Sequence, residues 1–402
     1  MVEIYGTCDP AFSKLKDQFA NQIKRFGGGA AASVYHHGEK VVDIWGGVAG
    51  NDQRPWQEDT LSLVYSATKA VPVTCLHILA SDGLVDYDKP VATYWPEFAQ
   101  HGKENITIRQ LMSHQAGLYQ ILGLINRPSD ILDWEAMVDA LAGARPIHEP
   151  GKANGYHAFN IGWLLGALIE KVSGMPFKEF LRHRLTEPLG VDGLVIGVDD
   201  EKFPRLADQM GMPSIREYST IRKRYNVPQY IPAGQLRRLF SRGLTPHRLR
   251  NYFGDPEFYK ATIPAVNGTF DARSLAKLYA MLSNGGEFEN HQFLTPEIIE
   301  KAREVQTRRF DRVVIYPLHW RLGYHRADAV IRNYPNAFGH YGFGGAGGWA
   351  NPEENLAFGF VHNSSPFTLL GHIRCIAMTG AVYEGAKLAE LPWVSEGGRH
   401  SQ

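Results

Sequence analysis

Three tetrads in this 402-residue chain place a lysine three residues after a serine: Ser13-Lys14-Leu15-Lys16, Ser66-Ala67-Thr68-Lys69 and Ser274-Leu275-Ala276-Lys277. On a helix such a pair shares one face. A serine hydroxyl is a weak nucleophile at neutral pH, and a partly buried lysine with a lowered pKa can act as its base without any histidine. Context selects among the three. Ser13 falls in an amphipathic segment, residues 12–23, with apolar residues at helical spacing and charges between them, which reads as a surface helix. Ser274 lies in a strongly patterned helix closed by Asn284-Gly285-Gly286, with Lys277 on its solvent side. Around Ser66 the neighbours are apolar on both sides, Leu61-Ser62-Leu63-Val64-Tyr65 before and Ala70-Val71-Pro72-Val73 after. A lysine buried there loses part of its charge stabilisation, and its pKa should fall.

Two further segments offer what a serine nucleophile needs. Asn154-Gly155-Tyr156-His157-Ala158-Phe159-Asn160 precedes an apolar helix, and a tyrosine phenol held near an ammonium can shuttle a proton between nucleophile and leaving group. Gly339-His340-Tyr341-Gly342-Phe343-Gly344-Gly345-Ala346-Gly347-Gly348 lets backbone approach a ligand closely and can present an N–H to a developing oxyanion. Trp349 and Phe343, which flank this strand, are candidates to line an acyl site, whereas Trp163 reads as core. His157 follows Tyr156 directly and points to the other side of an extended segment, so it reads as structural, and His114 as packing or a loop hydrogen bond. His36-His37 reads as a hairpin turn: the one nearby acid, Glu39, shares that turn, and no ligand motif surrounds them. Gly27-Gly28-Gly29 lacks the lysine and hydroxyl residue of a phosphate loop. No metal or cofactor is expected.

The elements that position these residues follow from pattern. Alternation on either side of His36–Glu39 predicts a hairpin near the N-terminus, residues 32–45. Helical periodicity dominates from about residue 69 to 245, with segments at 76–80, 108–112, 131–141, 163–172 and 177–185. Strand patterns return at 320–324, 338–341, 348–350 and 356–361, the last two joined by the turn Asn351-Pro352-Glu353-Glu354-Asn355. The expectation is a discontinuous α/β domain, residues 1–68 and 262–402, with an inserted mostly helical domain, residues 69–261. That insertion includes a cap near 204–259. Its basic cluster Arg237-Arg238-Leu239-Phe240-Ser241-Arg242 and Arg248-Leu249-Arg250 reads as the solvated side of a helical cap, not a nucleic-acid surface.

Composition supports this frame. With 44% apolar residues the chain can bury a core large enough for two subdomains, and 42 basic residues balance 42 acidic ones, so no net field favours nucleic acid or an anionic membrane. Three widely spaced cysteines, Cys8, Cys75 and Cys375, suit free thiols in a reducing compartment. The N-terminus lacks a secretory layout, and no apolar run reaches the roughly 18 residues that span a bilayer. A cytoplasmic protein is expected.

Taken in this order, the serine tetrad, the tyrosine segment and the glycine-rich strand resemble the class C β-lactamase superfamily, and more closely its family VIII carboxylesterases. The resemblance includes Ala80-Ser81-Asp82-Gly83-Leu84-Val85-Asp86-Tyr87-Asp88-Lys89-Pro90-Val91 and Ile106-Thr107-Ile108-Arg109-Gln110-Leu111-Met112-Ser113-His114-Gln115-Ala116-Gly117-Leu118. It implies a β-lactamase/penicillin-binding-protein-like fold, an antiparallel sheet flanked by helices. Ser66 then matches the acylated serine, Lys69 its lysine and Tyr156 the tyrosine of the second motif. The oxyanion hole would use the backbone N–H groups of Ser66 and Phe343, and His340, Gly342 and Trp349 would contact substrate. Two departures bear on specificity: Ala158 stands where the β-lactamases carry asparagine, and His340-Tyr341-Gly342 replaces Lys-Thr-Gly. A mostly neutral histidine binds a substrate carboxylate less well than lysine. The expected activity is hydrolysis of small uncharged carboxylic esters. A D-amino-acid peptidase or weak β-lactamase, an acyltransferase to an alcohol, and a non-enzymatic relative are the alternatives.

Overall fold

The computed structural model describes residues 2–121, 123–210, 254–314, 317–328, 333–364 and 373–391. Most of the expected cap, residues 211–253 with its arginine cluster, lies outside them. In chain order the described strands are β1 (Ile4–Cys8), β2 (Gly29–His36), β3 (Glu39–Gly47), β4 (Ser62–Leu63), β5 (Leu194–Val195), β6 (Thr269–Phe270), β7 (Glu287–Phe288), β8 (His291–Gln292), β9 (His325–Asp328), β10 (Asn333–Tyr341), β11 (Gly347–Asn351) and β12 (Leu356–His362). Seven of them form one antiparallel sheet ordered β1-β3-β2-β12-β11-β10-β9, so early and late chain segments meet where β2 pairs with β12. The described helices are α1 (Ser13–Phe26), α2 (Ala70–Ser81), α3 (Ile108–Met112), α4 (Trp134–Ala142), α5 (Asn160–Ser173), α6 (Phe177–Leu181), α7 (Pro256–Lys260), α8 (Ala272–Ser283), α9 (Pro296–Arg303) and α10 (Ile373–Ala389).

The alternation of β2 and β3 closes through a two-residue turn, His37-Gly38, with φ of +51° and +80°. Both central residues in the left-handed region is the arrangement that matches strand twist. The segment Asn351–Asn355 likewise joins β11 to β12 in antiparallel register. Residues 320–324 do not form a strand; they turn into β9, which starts at His325. The 177–185 pattern splits into α6 and a wider π turn, Arg182–Thr186.

Helices cover both faces of the sheet. On one, α1 and α10 bury Phe12, Phe19, Met378 and Tyr383 against Trp349, Phe358 and Phe360. On the other, α8 packs so closely that a Cβ on Gly359 would lie 2.7 Å from the Ala276 amide nitrogen. Beyond α8 lies the larger core that contains α2 and α5. Residues 70–80 of α2 are all buried, as an apolar run without a polar stripe requires. This helix starts directly after Lys69.

Trp349 corrects an expectation. Successive β11 residues face opposite sides of the sheet, and a Cβ on Gly348 would meet the Tyr279 ring of α8 at 2.6 Å, which leaves Trp349 on the α10 side. Its indole N–H donates to Thr379 Oγ1 at 3.1 Å and its ring stacks on Tyr383 at 5.0 Å, fully buried. It does not line the site. Trp349→Ala is therefore expected to cost about 3–5 kcal/mol of stability while leaving KM unchanged. Denaturant unfolding and steady-state kinetics check this, and a raised KM at unchanged stability would return Trp349 to the site.

Candidate active site

Ser66 sits on a 3-10 turn, Tyr65–Lys69, and not on the α-helix itself. In that tighter helix residues three apart eclipse, so Ser66 and Lys69 align better than on an α-helix. The Lys69 Nζ lies 3.1 Å from Ser66 Oγ. Tyr65 carries φ of +48°, a left-handed conformation costly for a bulky residue and common at functional turns. Thr68 fixes the turn: its hydroxyl donates to the Tyr65 carbonyl at 2.5 Å and accepts the Gly268 N–H at 2.9 Å. Ser66 remains partly exposed while Lys69 is only 1% exposed.

Lys69 Nζ also donates to the carbonyls of Ala158 at 2.7 Å and Ala265 at 2.8 Å. With three hydrogens, an ammonium would satisfy both carbonyls and Ser66. A neutral amine keeps both carbonyl bonds and turns its lone pair to the Ser66 hydroxyl, the arrangement a general base needs. Burial without a carboxylate partner holds the Lys69 pKa well below the ordinary 10.5 and favours that neutral form. Tyr156 shifts the other way. Burial raises its phenol pKa, although a hydrogen bond with the Ser66 side chain pulls it partly back. The two shifts run in opposite directions, toward a neutral amine and a protonated phenol, with Nζ 4.9 Å from the Tyr156 ring centroid.

Tyr156 is held by residues that the sequence did not single out. Asp311, fully buried, accepts the Tyr156 backbone N–H at 3.1 Å, the N–H groups of Val313 and Val314 at 2.8 and 3.1 Å, and the Trp320 indole N–H at 3.1 Å. Trp320 in turn stacks on the Tyr156 ring, centroids 5.4 Å apart. Behind them His157 accepts the Leu118 N–H on Nε2 at 3.0 Å, so its proton is on Nδ1 and donates to His114 Nδ1 at 3.1 Å. Burial lowers the His157 pKa to about 3 and takes His114 well below its ordinary value. Both imidazoles are neutral members of a packed network.

At the end of β10, His340 is buried, 6.3 Å from the Tyr156 ring. Its Nδ1 lies 3.2 Å from the Tyr341 carbonyl, which requires Nδ1 to carry the proton, and the buried Nε2 has no hydrogen-bond partner. Burial pushes its pKa well below the usual imidazole value. The imidazole at the position of the Lys-Thr-Gly lysine thus offers a bare acceptor on Nε2. Gly342 brings this segment to the nucleophile: a Cβ there would sit 2.0 Å from the Val64 carbonyl oxygen. Phe343 follows, its ring edge-on to Tyr65 at 5.5 Å.

The other two tetrads do different work. Ser13 and Lys16 are exposed. Ser274 accepts the Gly193 N–H at 3.2 Å while Lys277 pairs with Glu289 at 3.3 Å, half-hidden and not fully on the solvent face.

A family model described as Beta-lactamase matches residues 19–373. The chain belongs to the beta-lactamase family. Esterase/beta-lactamase LipL of Mycobacterium tuberculosis is 36% identical over 396 residues, 96% of this chain and 89% of that protein. Among solved structures, a family VIII carboxylesterase matches with a TM-score of 0.80 at 31% identity, covering 95% of this chain and 100% of the other. A penicillin-binding protein homolog from Caulobacter crescentus gives 0.80 and 31% over 94% of this chain and 100% of the other. The β-lactamase/penicillin-binding-protein-like fold expected from the motifs is the fold observed, and the chain is an enzyme of the hydrolase class in that family.

Asp311→Asn is expected to cost about 1–3 kcal/mol of stability, because an amide cannot accept at every position the carboxylate does. It should also lower kcat for hydrolysis more than it alters KM. Equilibrium unfolding and steady-state kinetics test both effects, and an unchanged kcat means that Tyr156 is held by other contacts.

Proposed function

We propose that this enzyme hydrolyses small uncharged carboxylic esters through an acyl-enzyme on Ser66. The observation that carries the reading is the amine of Lys69, anchored by two backbone carbonyls with its remaining position on Ser66 Oγ. Ser66 attacks the ester carbonyl as its proton passes to neutral Lys69. The backbone N–H groups of Ser66 and Phe343 receive the oxyanion, each contributing about 3 kcal/mol to the lowered barrier. Tyr156, protonated at rest, donates to the departing alkoxide, and the proton held by Lys69 restores the phenol. Water then enters where the alcohol left and the steps run in reverse, with Tyr156 relaying the proton of water toward Lys69. This division assigns the base to Lys69 and the acid to Tyr156, whereas the tyrosine segment read from sequence has the phenol itself shuttle the proton between nucleophile and leaving group.

Substrate choice follows from His340 and Ala158. A neutral imidazole that presents a bare Nε2 repels a carboxylate and accepts from an N–H or O–H. Ala158 contributes its carbonyl to Lys69 but has no amide side chain to hold an antibiotic. LipL carries both esterase and beta-lactamase in its name, which makes β-lactams the informative competitor. Three free cysteines, two of them buried, support a reducing compartment, and none of the described helices is long and apolar enough to cross a membrane. We propose the cytoplasm as that reducing compartment.

Ser66→Ala should abolish turnover of p-nitrophenyl butyrate and block fluorophosphonate labelling seen by intact mass; retained turnover would remove Ser66 from the mechanism. The Lys69 base makes activity depend on pH with a definite sign. kcat/KM rises with pH as Lys69 loses its proton, with an apparent pKa well below 10.5, and Lys69→Arg, which cannot lose its proton, is inactive across the range. A rise only near the ordinary lysine value would contradict the neutral amine. Nitrocefin should turn over at least a hundredfold more slowly than the ester in parallel assays, and comparable rates would favour the β-lactamase reading.

A further inference from the structure

The hairpin turn between β2 and β3 carries two adjacent histidines, and the fold supplies an acid that the sequence around them lacks. Glu390, the residue after α10, reaches the turn, with its Oε1 3.9 Å from His36 Nε2 and 3.8 Å from His37 Nε2. The three ligand atoms lie within 4.8 Å of one another. The left-handed φ of His37, +51°, sets its ring 4.2 Å from that of His36, centroid to centroid.

His36 is the independent observation. The residue is only 6% exposed, and its Nε2 is buried with no hydrogen-bond partner among the described residues. Its separation from Glu390 is too long for a hydrogen bond, so a buried polar atom points into the space between the three groups. Glu390 is also placed against electrostatics, because a carboxylate just beyond the C-terminal end of a 17-residue helix meets the negative end of its dipole. Glu354 adds like charge nearby and Lys387 offsets part of it. A cation between the histidines and Glu390 relieves both conflicts.

Two imidazole nitrogens and one carboxylate oxygen are a zinc ligand set, with water in the fourth position. Donors bound at about 2.0–2.1 Å around a tetrahedral ion sit about 3.4 Å apart, so the imidazole–carboxylate separations must close by about half an ångström and the imidazole pair, within 4.8 Å, by up to about 1.4 Å, which rotation of the exposed His37 and Glu390 side chains can supply. The side chains of His37 and Glu390 are each 61% exposed, which gives the ion its entry and the water its place. We propose that His36, His37 and Glu390 form a divalent-metal site, occupied by Zn2+, that pins the end of α10 to the β2–β3 turn. This site is separate from the Ser66 machinery and serves stability: an ion that binds only the folded chain raises its stability with concentration.

The test is isothermal titration of chelator-stripped full-length protein with zinc chloride, with thermal unfolding in parallel. Wild type should bind one Zn2+ per chain saturably and melt at a higher temperature with the ion. His37→Asn, which tolerates the left-handed backbone, and the exposed Glu390→Gln should each weaken binding at least tenfold and remove the thermal shift. Failure of wild type to bind overturns the site. Binding that both variants retain, through a thiol or another histidine, overturns it equally.

Discussion

A buried amine with no carboxylate beside it among the described residues organises the proposed catalytic site. Lys69 is surrounded by protein, and among the described residues its polar partners are two backbone carbonyls and the Ser66 hydroxyl. A carboxylate in their place would hold Lys69 as a cation and rule out its proposed use as a base. Carbonyls orient the nitrogen and leave the proton mobile. The three segments that meet at Nζ must therefore be set by the fold, because none reaches the others through local sequence.

The fold supplies that setting through rigid neighbours. The buried, mostly apolar α2 anchors the turn that bears Ser66 and Lys69 in the core. Asn267 steadies the segment that holds Ala265 by donating to the carbonyls of Phe258 and Ala261 at 2.8 and 2.7 Å and accepting the Ile263 N–H at 3.2 Å. Close approach of α5 adds to this, since a Cβ on Gly162 would lie 2.7 Å from the Ala265 amide nitrogen. Asp311 and Trp320 do the same for Tyr156 from the opposite side. Opposed pKa shifts then arise chiefly from burial: it lowers an amine and raises a phenol, which supports the proposed division of base from acid between two neighbouring residues.

The sequence made part of this legible. Ser66, Lys69 and Tyr156 stand in recognisable local motifs, and the β2–β3 and β11–β12 hairpins announce themselves by alternation and turn residues. What it hid depends on distance or register. The Ala265 carbonyl is 196 residues from Lys69, and a backbone acceptor has no side-chain signature. Asp311 looks like any acidic loop residue until its four N–H donors are in place. Trp349 was misplaced because a glycine-rich strand gives no hydrophobic alternation to fix its face, and a shift of one residue exchanges pocket for core. Glu390 meets His36 and His37 only because β2 and α10, at opposite ends of the chain, pack on the same sheet.

The central claim is that Lys69 is an uncharged amine in the resting enzyme. NMR titration of its ε-carbon in the intact protein, assigned by comparison with Lys69→Arg, measures that directly. A titration well below the ordinary lysine value of 10.5, with Ser66 and Tyr156 unaltered, is the predicted result. A Lys69 that titrates like a surface lysine would contradict the account and require another base for Ser66.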